Sequence, residues 1–272
     1  MKTILMTLIL VMMSTEVSAV RSNLADIING AHRSEEHKAR DEYRHPQKTI
    51  EFFGTKPTDH VLEMWPGNGW YSEILAPYVK EKGKYTAVTF SVQNLNSDDK
   101  RAASWSKTAL KFREKMSDSD LYGKVSFTEF EPPSMLKIAK SNSVDAAYIV
   151  RVMHIWDQEG FLAKGLKSVY KALKPGGVLA VVQHRGDAVE GIGSSAVEGY
   201  LGEQYVIEAA KKAGFKLVAS SEINANPKDT KNHPKGVYTL PPMLAMGAKD
   251  KERYVEIGES DRMTLKFIKA KK

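Results

Sequence analysis

Apolar segments rich in β-branched and aromatic residues alternate with segments of helical period along most of the chain. Six apolar segments are typical of strands: His60–Met64, Lys84–Phe90, Val125–Phe130, Val144–Val150, Gly177–Gln183 and Phe215–Glu222. The predicted helices between them are Tyr71–Val79, Asp98–Met116, Gln158–Leu173 and Glu203–Ala213, the third ended by "KPGG". This alternation predicts an α/β domain with a largely parallel sheet and right-handed crossovers.

The segments on either side of this pattern predict a cap, an insertion and a last strand. Residues 20–57 are strongly charged and helical in pattern, with Pro46 placed to open a helix, so we predict an N-terminal helical cap before a main domain at 58–272. Residues 224–258 are rich in Pro, Asn, Lys and Gly and predict a long inserted loop. The alternation in "DRMTLKFIKA" predicts a last strand paired with the sixth.

Residues 1–19 have the pattern of a secretory signal peptide. A basic start, the apolar run "ILMTLILVMM" and the polar end "STEVSA" predict cleavage after Ala19. The apolar run is too short to cross a bilayer of about 30 Å as a helix. We therefore expect a periplasmic or secreted protein without a transmembrane segment after cleavage. The alternative is a buried first helix.

Composition narrows the possible chemistry. The chain has 272 residues, of which 42% are hydrophobic and 27% charged, as in ordinary globular proteins. Its formal net charge is +7, but the basic residues are scattered, so we expect no nucleic-acid partner. With no Cys, no His-x-x-x-His pair and no nucleophile elbow, the sequence favours neither a metal site nor covalent catalysis.

The stretch "VLEMWPGNGW" predicts a ligand site directly after the first strand. An acid, Glu63, ends the strand, and Gly67 and Gly69 allow a tight turn and a close approach of the backbone to a ligand. The helix that follows presents free N–H groups at its start. In open α/β sheets, ligands bind at the carboxyl ends of the strands where the strand order reverses.

This loop, together with "VDAAYIVRVMHIW" and "LKSVYKALKPGGVLAVVQHR", resembles class I S-adenosylmethionine-dependent methyltransferases. The first motif of that family is an acid followed by x-Gly-x-Gly-x-Gly; Trp65 here occupies the first glycine position. The segments "RDEYRHP", "HIW", "QHR" and "ESDRMTLKF" more narrowly resemble a bacterial subgroup of predicted methyltransferases with signal peptides, in which a Trp-Pro-Gly loop is normal. The resemblance runs from about Thr58 to the C-terminus.

The resemblance implies a Rossmann-like class I methyltransferase fold, with a mostly parallel seven-stranded sheet, and S-adenosylmethionine as the cofactor. The residues that it implies for cofactor binding are Glu63, Trp65, Pro66, Gly67, Asn68, Gly69, Thr89, Glu129 and Arg151. Thr89 stands where the family has an acid that grips both ribose hydroxyls, and a hydroxyl lacks that charge-assisted, two-point grip.

Glu129 and Arg151 each have two interpretations. Glu129 would partner the adenine amino group, as in the family, or is an exposed acid at the strand edge. Arg151 would hold the cofactor carboxylate or an acidic substrate, or makes a structural salt bridge.

His154 is the predicted catalytic base, because it follows the fourth strand and titrates near neutral pH. Its alternative role is a hydrogen bond within the strand-to-helix turn. Further candidates lie at the crevice mouth, each with a structural alternative such as capping, packing or a solvated face. They are His184 and Arg185 for substrate, Trp65, Trp70 and Tyr71 for cation–π contact with a sulfonium, and Asp41, Arg44 and His45 in a lid.

These expectations lead to methyl transfer to a small-molecule or surface acceptor, with the oligomeric state open. A second hypothesis is a non-catalytic or degenerate protein of this fold that binds a small nucleoside-like ligand, which the missing ribose acid supports. A third, nicotinamide-dependent oxidoreduction, is weaker, because the third Gly of Gly-x-Gly-x-x-Gly falls on Ser72 and the expected downstream acid is absent.

Overall fold

The computed structural model describes residues 24–187 and 198–271, so the predicted signal peptide lies outside the described residues. The described strands are β1 (His60–Met64), β2 (Lys84–Thr89), β3 (Ser126–Glu129), β4 (Val144–Val150), β5 (Leu173–Gly186), β6 (Leu201–Gly202), β7 (Phe215–Ser221) and β8 (Arg262–Lys269). The described helices are α1 (24–29), α2 (Glu35–Lys38), α3 (Asp41–Arg44), α4 (Pro46–Phe53), α5 (Ser72–Val79), α6 (Lys100–Lys115), α7 (Ser119–Tyr122), α8 (Met153–Gln158), α9 (Leu162–Ala172), α10 (Glu203–Lys212) and α11 (Lys251–Ile257). Among these helices, none is both long enough and apolar enough to cross a membrane.

The strands form one sheet in the order β3-β2-β1-β4-β5-β8-β7, with β6 paired to the end of β5. Strands β1 to β5 run parallel, whereas β8 runs antiparallel between β5 and β7. The order reverses between β1 and β4. Their carboxyl ends therefore border the crevice in which open α/β sheets bind ligands.

The predicted Rossmann-like, mostly parallel sheet is confirmed, with a correction to its strand number. The sheet has eight strands rather than seven, because Leu201 and Gly202 pair with Arg185 and Gly186 at the end of β5. The last strand pairs with β7, as predicted, and also with β5. It is therefore an interior strand, which agrees with its nearly complete burial.

The two faces of the sheet carry separate apolar cores. Val61 belongs to one cluster and its neighbour Leu62 to the other, since successive side chains of a strand point to opposite faces. Helices cover both faces, so most side chains of β1, β2 and β4 are buried on each side. The edge strand β7 alternates between buried and more exposed residues instead.

The helix predicted at Gln158–Leu173 corresponds to α9, which begins later than predicted, and the short helix α8 before it was not predicted. Helix α8 ends at Gln158, Gly160 adopts φ +70°, and α9 begins at Leu162. The "LKPGG" sequence lies within β5 rather than before it. The register between β4 and β5 shifts there, and Gly176, at φ +82°, accommodates the extra residues of the bulge.

The N-terminal helices pack against loops at the carboxyl side of the sheet. Pro46 occupies the first turn of α4, as predicted, where its missing N–H costs no hydrogen bond. The His37 ring lies 2.7 Å from the Glu73 carboxylate, and the indole of Trp70 donates to the His37 carbonyl at 2.8 Å. These contacts hold the cap over the β1 loop.

Residues 224–258, predicted as an inserted loop, contain a 3₁₀ turn at Gly236–Thr239 and helix α11. Asn224 anchors the start of this segment, because its side-chain amide donates to Thr49 of the cap and Thr264 of β8. The segment then returns across the carboxyl end of the sheet before β8 begins.

Replacing Gly165 tests the packing between α8 and α9. An added methyl group would lie 2.6 Å from the buried ring of Trp156. Overpacking costs about 1–3 kcal/mol and opposes the roughly 1 kcal/mol that Ala gains over Gly in a helix. We expect Gly165→Ala to lower the free energy of unfolding by up to about 2 kcal/mol in urea titrations. Lys164→Ala, on the exposed side of α9, is the control; equal stabilities for the two variants would show that Trp156 can move aside.

Candidate functional site

A cavity of about 340 Å³, called here the large cavity, opens at the carboxyl ends of β1, β4 and β5. The β1 loop, the start of α8, the cap and parts of 237–243 and 259–260 form its walls. Of the residues predicted for cofactor binding or catalysis, all line it except Gly69, Thr89 and Glu129. The topology thus brings together side chains from five distant parts of the sequence.

The loop after β1 has three residues in the left-handed region: Trp65 at φ +47°, Gly67 at +59° and Gly69 at +84°. A Cβ at Gly67 would meet no atom within 4 Å, so this backbone faces open cavity. A Cβ at Gly69 would lie 3.0 Å from the Phe112 ring. Gly67 therefore permits close approach of a ligand, whereas Gly69 permits the packing of α6 against the loop.

Glu63 is buried at the end of β1 with two hydroxyl donors. Ser72 and Tyr85 donate to the same carboxylate oxygen, at 2.7 and 2.5 Å. Burial raises the pKa of Glu63 to about 7, although both hydrogen bonds act in the opposite direction. Near neutral pH the group is therefore divided between its neutral and charged forms, and it lines the large cavity.

Trp65 divides the crevice. Its indole N–H donates to the Phe130 carbonyl at 3.2 Å, and its ring lies 4.4 Å from that of Phe90, centroid to centroid. A second cavity of about 190 Å³, called here the small cavity, lies at the ends of β2 and β3. Trp65 and Phe90 line both cavities and form the wall between them.

The small cavity combines aromatic walls with a polar edge. Trp105 stacks on Phe90 at 4.8 Å between ring centroids, and both rings face this cavity. At its edge, the Asn94 amide donates to the Glu131 carboxylate at 2.6 Å. Flat apolar walls with hydrogen-bonding groups at the rim suit a planar heterocyclic base.

Thr89 and Glu129, predicted for ribose and adenine contacts, are engaged with each other through Arg113. One Arg113 nitrogen donates to both, at 2.8 Å each. Neither residue lines the large or the small cavity. Three acids line the small cavity, Asp99, Glu131 and Glu159, and Glu131 lies two residues beyond the predicted Glu129. The sequence signal for Glu131 is its position directly after the predicted strand Val125–Phe130, because residues that follow a parallel strand extend into the crevice.

The three aromatic residues of the cation–π prediction all line the large cavity. The guanidinium groups of Arg33 and Arg44 lie 5.3 and 4.8 Å from the ring centroid of Trp70. Trp70 therefore already makes cation–π contacts with the protein itself. Trp65 packs among aromatic rings, and Tyr71 lines the large cavity beside Trp70.

His154 lies in the large cavity, but its surroundings do not favour a strong base. Burial lowers its pKa to about 4. The Gln183 amide donates to Nδ1 at 3.2 Å, which leaves the proton of the neutral ring on Nε2, 3.3 Å from the Tyr238 hydroxyl. A base is most efficient with a pKa near the working pH, so His154 is better suited to hydrogen bonding than to removing a proton from a neutral acceptor.

Four arginines surround one carboxylate at the back of the large cavity. Glu259 accepts from Nε of Arg40 at 2.6 Å and from Nε of Arg44 at 2.9 Å, and lies 3.0 Å from Arg262. These cations hold the pKa of Glu259 far below its usual range despite its burial. Burial lowers the pKa of Arg151, the fourth arginine, to about 10, so it stays charged at neutral pH.

The remaining candidates divide into cavity residues and structural residues. His184 lines the large cavity, and burial lowers its pKa well below the usual value. Arg185 is paired with Asp261 and Glu222 and does not line the cavity. Of the predicted lid residues, only Arg44 lines it; Asp41 pairs with Arg33, and His45 forms the left-handed junction between α3 and α4.

Sequence reasoning missed Arg40, Tyr238, Glu259 and Ser260 as cavity residues. Glu259 and Ser260 stand in the quoted "ESDRMTLKF" segment, which preceded the last strand and therefore had to reach the same end of the sheet as the β1 loop. Arg40 stands in the quoted "RDEYRHP" segment, whereas Tyr238 had no comparable signal, because it lies in the long insertion whose position depends on long-range contacts.

No protein-family model and no curated protein sequence matches the chain. Solved structures do match it. A S-adenosylmethionine-dependent methyltransferase from Aquifex aeolicus is 23% identical with a TM-score of 0.52, covering 68% of this chain and 87% of that one. The cyclase SpnF is 15% identical with a TM-score of 0.60, covering 89% and 86%. A putative sarcosine dimethylglycine methyltransferase from Galdieria sulphuraria is 15% identical with a TM-score of 0.53, covering 85% of each chain.

The strand order and these matches together define the class: the chain has the mixed α/β Rossmann-like fold of class I methyltransferases. At such identities the likeness establishes the fold alone. One of the three structures is named as a cyclase, so the reaction has to be argued from the site.

Glu63 gives the folded state a pH dependence with a definite sign. Its pKa is raised from 4.5 to about 7, so the folded protein keeps a proton that the unfolded chain releases, and stability falls between those pH values. We expect Glu63→Gln to remove this fall, making the variant more stable than wild type above pH 7 by up to about 3 kcal/mol.

Urea unfolding of both proteins from pH 4 to 8 measures the difference. The comparison with Glu63→Gln is needed because buried His154 and His184 also make stability depend on pH. Their pKa values are lowered, so their contribution has the opposite sign, below pH 6.5. Parallel stability curves would contradict the raised pKa of Glu63.

Proposed function

We propose that the protein is an S-adenosylmethionine-dependent methyltransferase that acts on a small or surface-exposed acceptor. The observation that carries the proposal is the pair of cavities that meet at the Trp65–Phe90 wall, where the strand order reverses. The two structures of similar fold named as methyltransferases support this proposal.

The residues present fit the two ends of such a cofactor. In the large cavity, Gly67 leaves its backbone open, and Asn68 offers a polar side chain to an amino-acid moiety. In the small cavity, the aromatic walls and the Glu131–Asn94 edge suit an adenine ring. The ribose position fits less well, since Thr89 is already hydrogen-bonded to Arg113.

When bound, S-adenosylmethionine supplies an electrophilic methyl group on a sulfonium. The protein then has to align the acceptor atom and exclude water, and such positioning alone lowers barriers by several kcal/mol. The apolar side chains of Val237, Pro242 and Ile155 form an apolar part of the cavity wall. His154 and Tyr238 offer hydrogen bonds to an acceptor beside them.

A degenerate protein that binds a nucleoside-like ligand without turnover is the second candidate. Two observations favour it: Thr89 and Glu129 are both used by Arg113, and His154 is a weak base at neutral pH. Like the first candidate, it predicts binding of a ligand of the cofactor's size. Unlike the first, it predicts no methyl transfer.

Titration calorimetry with S-adenosylmethionine, S-adenosylhomocysteine and NAD tests the proposal. We expect heat from both sulfur compounds and none from NAD. If neither sulfur compound gives heat at about 1 mM, the methyltransferase hypothesis is removed. This limit corresponds to a binding free energy weaker than about 4 kcal/mol. Binding without any methylated product from a range of acceptors would favour the degenerate protein.

Gly67→Ala localises the binding, with Gly247→Ala as a matched control. Both glycines have positive φ, +59° and +65°, and neither has an atom within 4 Å of an added Cβ, so both variants carry the same backbone cost of about 1–2 kcal/mol. Gly67 lines the large cavity, whereas Gly247 lines neither the large nor the small cavity. We expect Gly67→Ala to weaken binding about tenfold or more and Gly247→Ala to leave it unchanged; equal affinities would place the ligand elsewhere.

We also propose that the chain belongs to the exported bacterial subgroup that its motifs resemble and that it acts in the periplasm or outside the cell. The tripartite pattern of residues 1–19 supports this. Expression of the full chain in a Gram-negative host is expected to yield a periplasmic protein that starts at Val20, as read by N-terminal sequencing. A cytoplasmic protein that retains residues 1–19 would contradict export.

A further inference from the structure

The arginine cluster of the large cavity has more donors than the protein uses. Glu259 occupies the Nε groups of Arg40 and Arg44, which come from the cap one helical turn apart. Arg262 completes this arrangement and is satisfied by the carbonyls of Ser260 and Tyr43. The other ends of Arg40 and Arg44 are therefore free to contact a ligand.

Three guanidinium N–H groups in this cavity have no acceptor among the described residues. They are Nη2 of Arg40, Nη2 of Arg44 and Nε of Arg151, all buried. Arg44 is only 1% exposed, and all three residues line the large cavity. A buried charged donor without a partner costs at least about 1–3 kcal/mol, so three in one cavity indicate a missing acceptor rather than chance.

Arg151 adds a second sign of function. It adopts φ +56°, a conformation that costs a non-glycine residue about 1–2 kcal/mol. Its backbone N–H nevertheless donates to Val182 at 2.7 Å, so this strained geometry is fixed by the sheet. The described residues offer its side chain no ion-pair partner within 4.0 Å, although Glu259 lines the same cavity.

Charge decides what kind of ligand the cluster accepts. Four guanidinium groups face the one carboxylate of Glu259, which leaves a large positive excess. S-adenosylmethionine carries a carboxylate, an ammonium and a sulfonium, so its net charge is +1 and it adds to this excess. The compensating negative charge has to come from the other reactant.

We propose that the methyl acceptor is an organic anion whose carboxylate or phosphate group is bound by Arg40, Arg44 and Arg151; this rests on the proposed methyl transfer. Guanidinium forks match the oxygens of both groups in two-point contacts. The adjoining wall of Val150, Val237 and Pro242 is apolar and would contact the carbon skeleton. His154, a weak base, is consistent with an acceptor that arrives with its reacting atom already able to attack.

Binding of simple probes to the full chain tests the proposal without turnover. Calorimetry is carried out with benzoate, with phenyl phosphate and with benzamide, the neutral isostere of benzoate. We expect at least one of the two anions to bind and benzamide not to bind; the stronger anion identifies the preferred oxyanion. Failure of both anions to bind better than benzamide overturns the proposal.

Arg151→Gln and the matched surface variant Arg253→Gln locate the site. Arg253 is exposed on α11 and outside the cavity, so both variants remove one positive charge. Loss of a charge-assisted contact predicts that Arg151→Gln weakens anion binding about tenfold or more and Arg253→Gln leaves it unchanged. Circular dichroism and thermal melting of both variants establish that they are folded, and equal anion affinities in the two overturn the assignment.

S-adenosylmethionine titrated into the same variants separates this proposal from the previous one. If wild type binds the anion but not the cofactor, the proposed methyl transfer fails and the anion site stands. If Arg151→Gln loses affinity for the cofactor alone, Arg151 binds the cofactor carboxylate and the acceptor proposal is overturned. We expect unchanged cofactor affinity with reduced anion affinity.

Discussion

The ion cluster around Glu259 connects the site to the rest of the fold. One buried carboxylate joins Arg40 and Arg44 of the cap to Arg262 at the start of β8, residues separated by more than 200 positions in sequence. Loss of the Glu259 carboxylate would leave the buried arginines uncompensated, and removal of a buried partner typically destabilises by about 3–5 kcal/mol. The cap is therefore held over the crevice by electrostatics as well as packing, and the wall of the large cavity depends on it.

The crevice differs from a simple open cleft because aromatic rings fill its centre. Trp65 reaches across from the end of β1 to the Phe130 carbonyl after β3, and Phe90 and Trp105 extend the same layer. The resulting wall separates a charged compartment from an aromatic one. Each compartment is thereby suited to a different part of a ligand, and the positions at Thr89 and Glu129 are used internally, joined by Arg113.

Much of the fold was predictable because periodicity is a local property. The limits of β1 and β4 agree with the predicted segments, since both strands are mostly apolar and lie between turn-rich segments. The start of α9 was predicted too early and α8 was not predicted, because a glycine such as Gly160 inside a helical pattern is usually tolerated and marks no boundary by itself. The short β6 depends on pairing with β5 and has no signal in its two residues.

The site was predictable where it lies on regular elements and not elsewhere. Glu63, Gly67, Arg151 and His154 follow predicted strands, and the topology places them at one edge. Their electrostatic state was not predictable, because the pKa values of Glu63 and His154 reflect burial that arises only after folding. The position of Arg40 beside Glu259 depends on a contact between the two ends of the described chain.

The left-handed backbone of Trp65 has a consequence for how such loops are recognised in genomes. A conformation usually reserved for glycine is retained here by a large aromatic residue, whose buried indole contacts offset the backbone cost. Residue patterns that require glycine at this position will pass over chains built in this way. Backbone geometry, which is the same here with a different side chain, is then the better criterion for finding such loops.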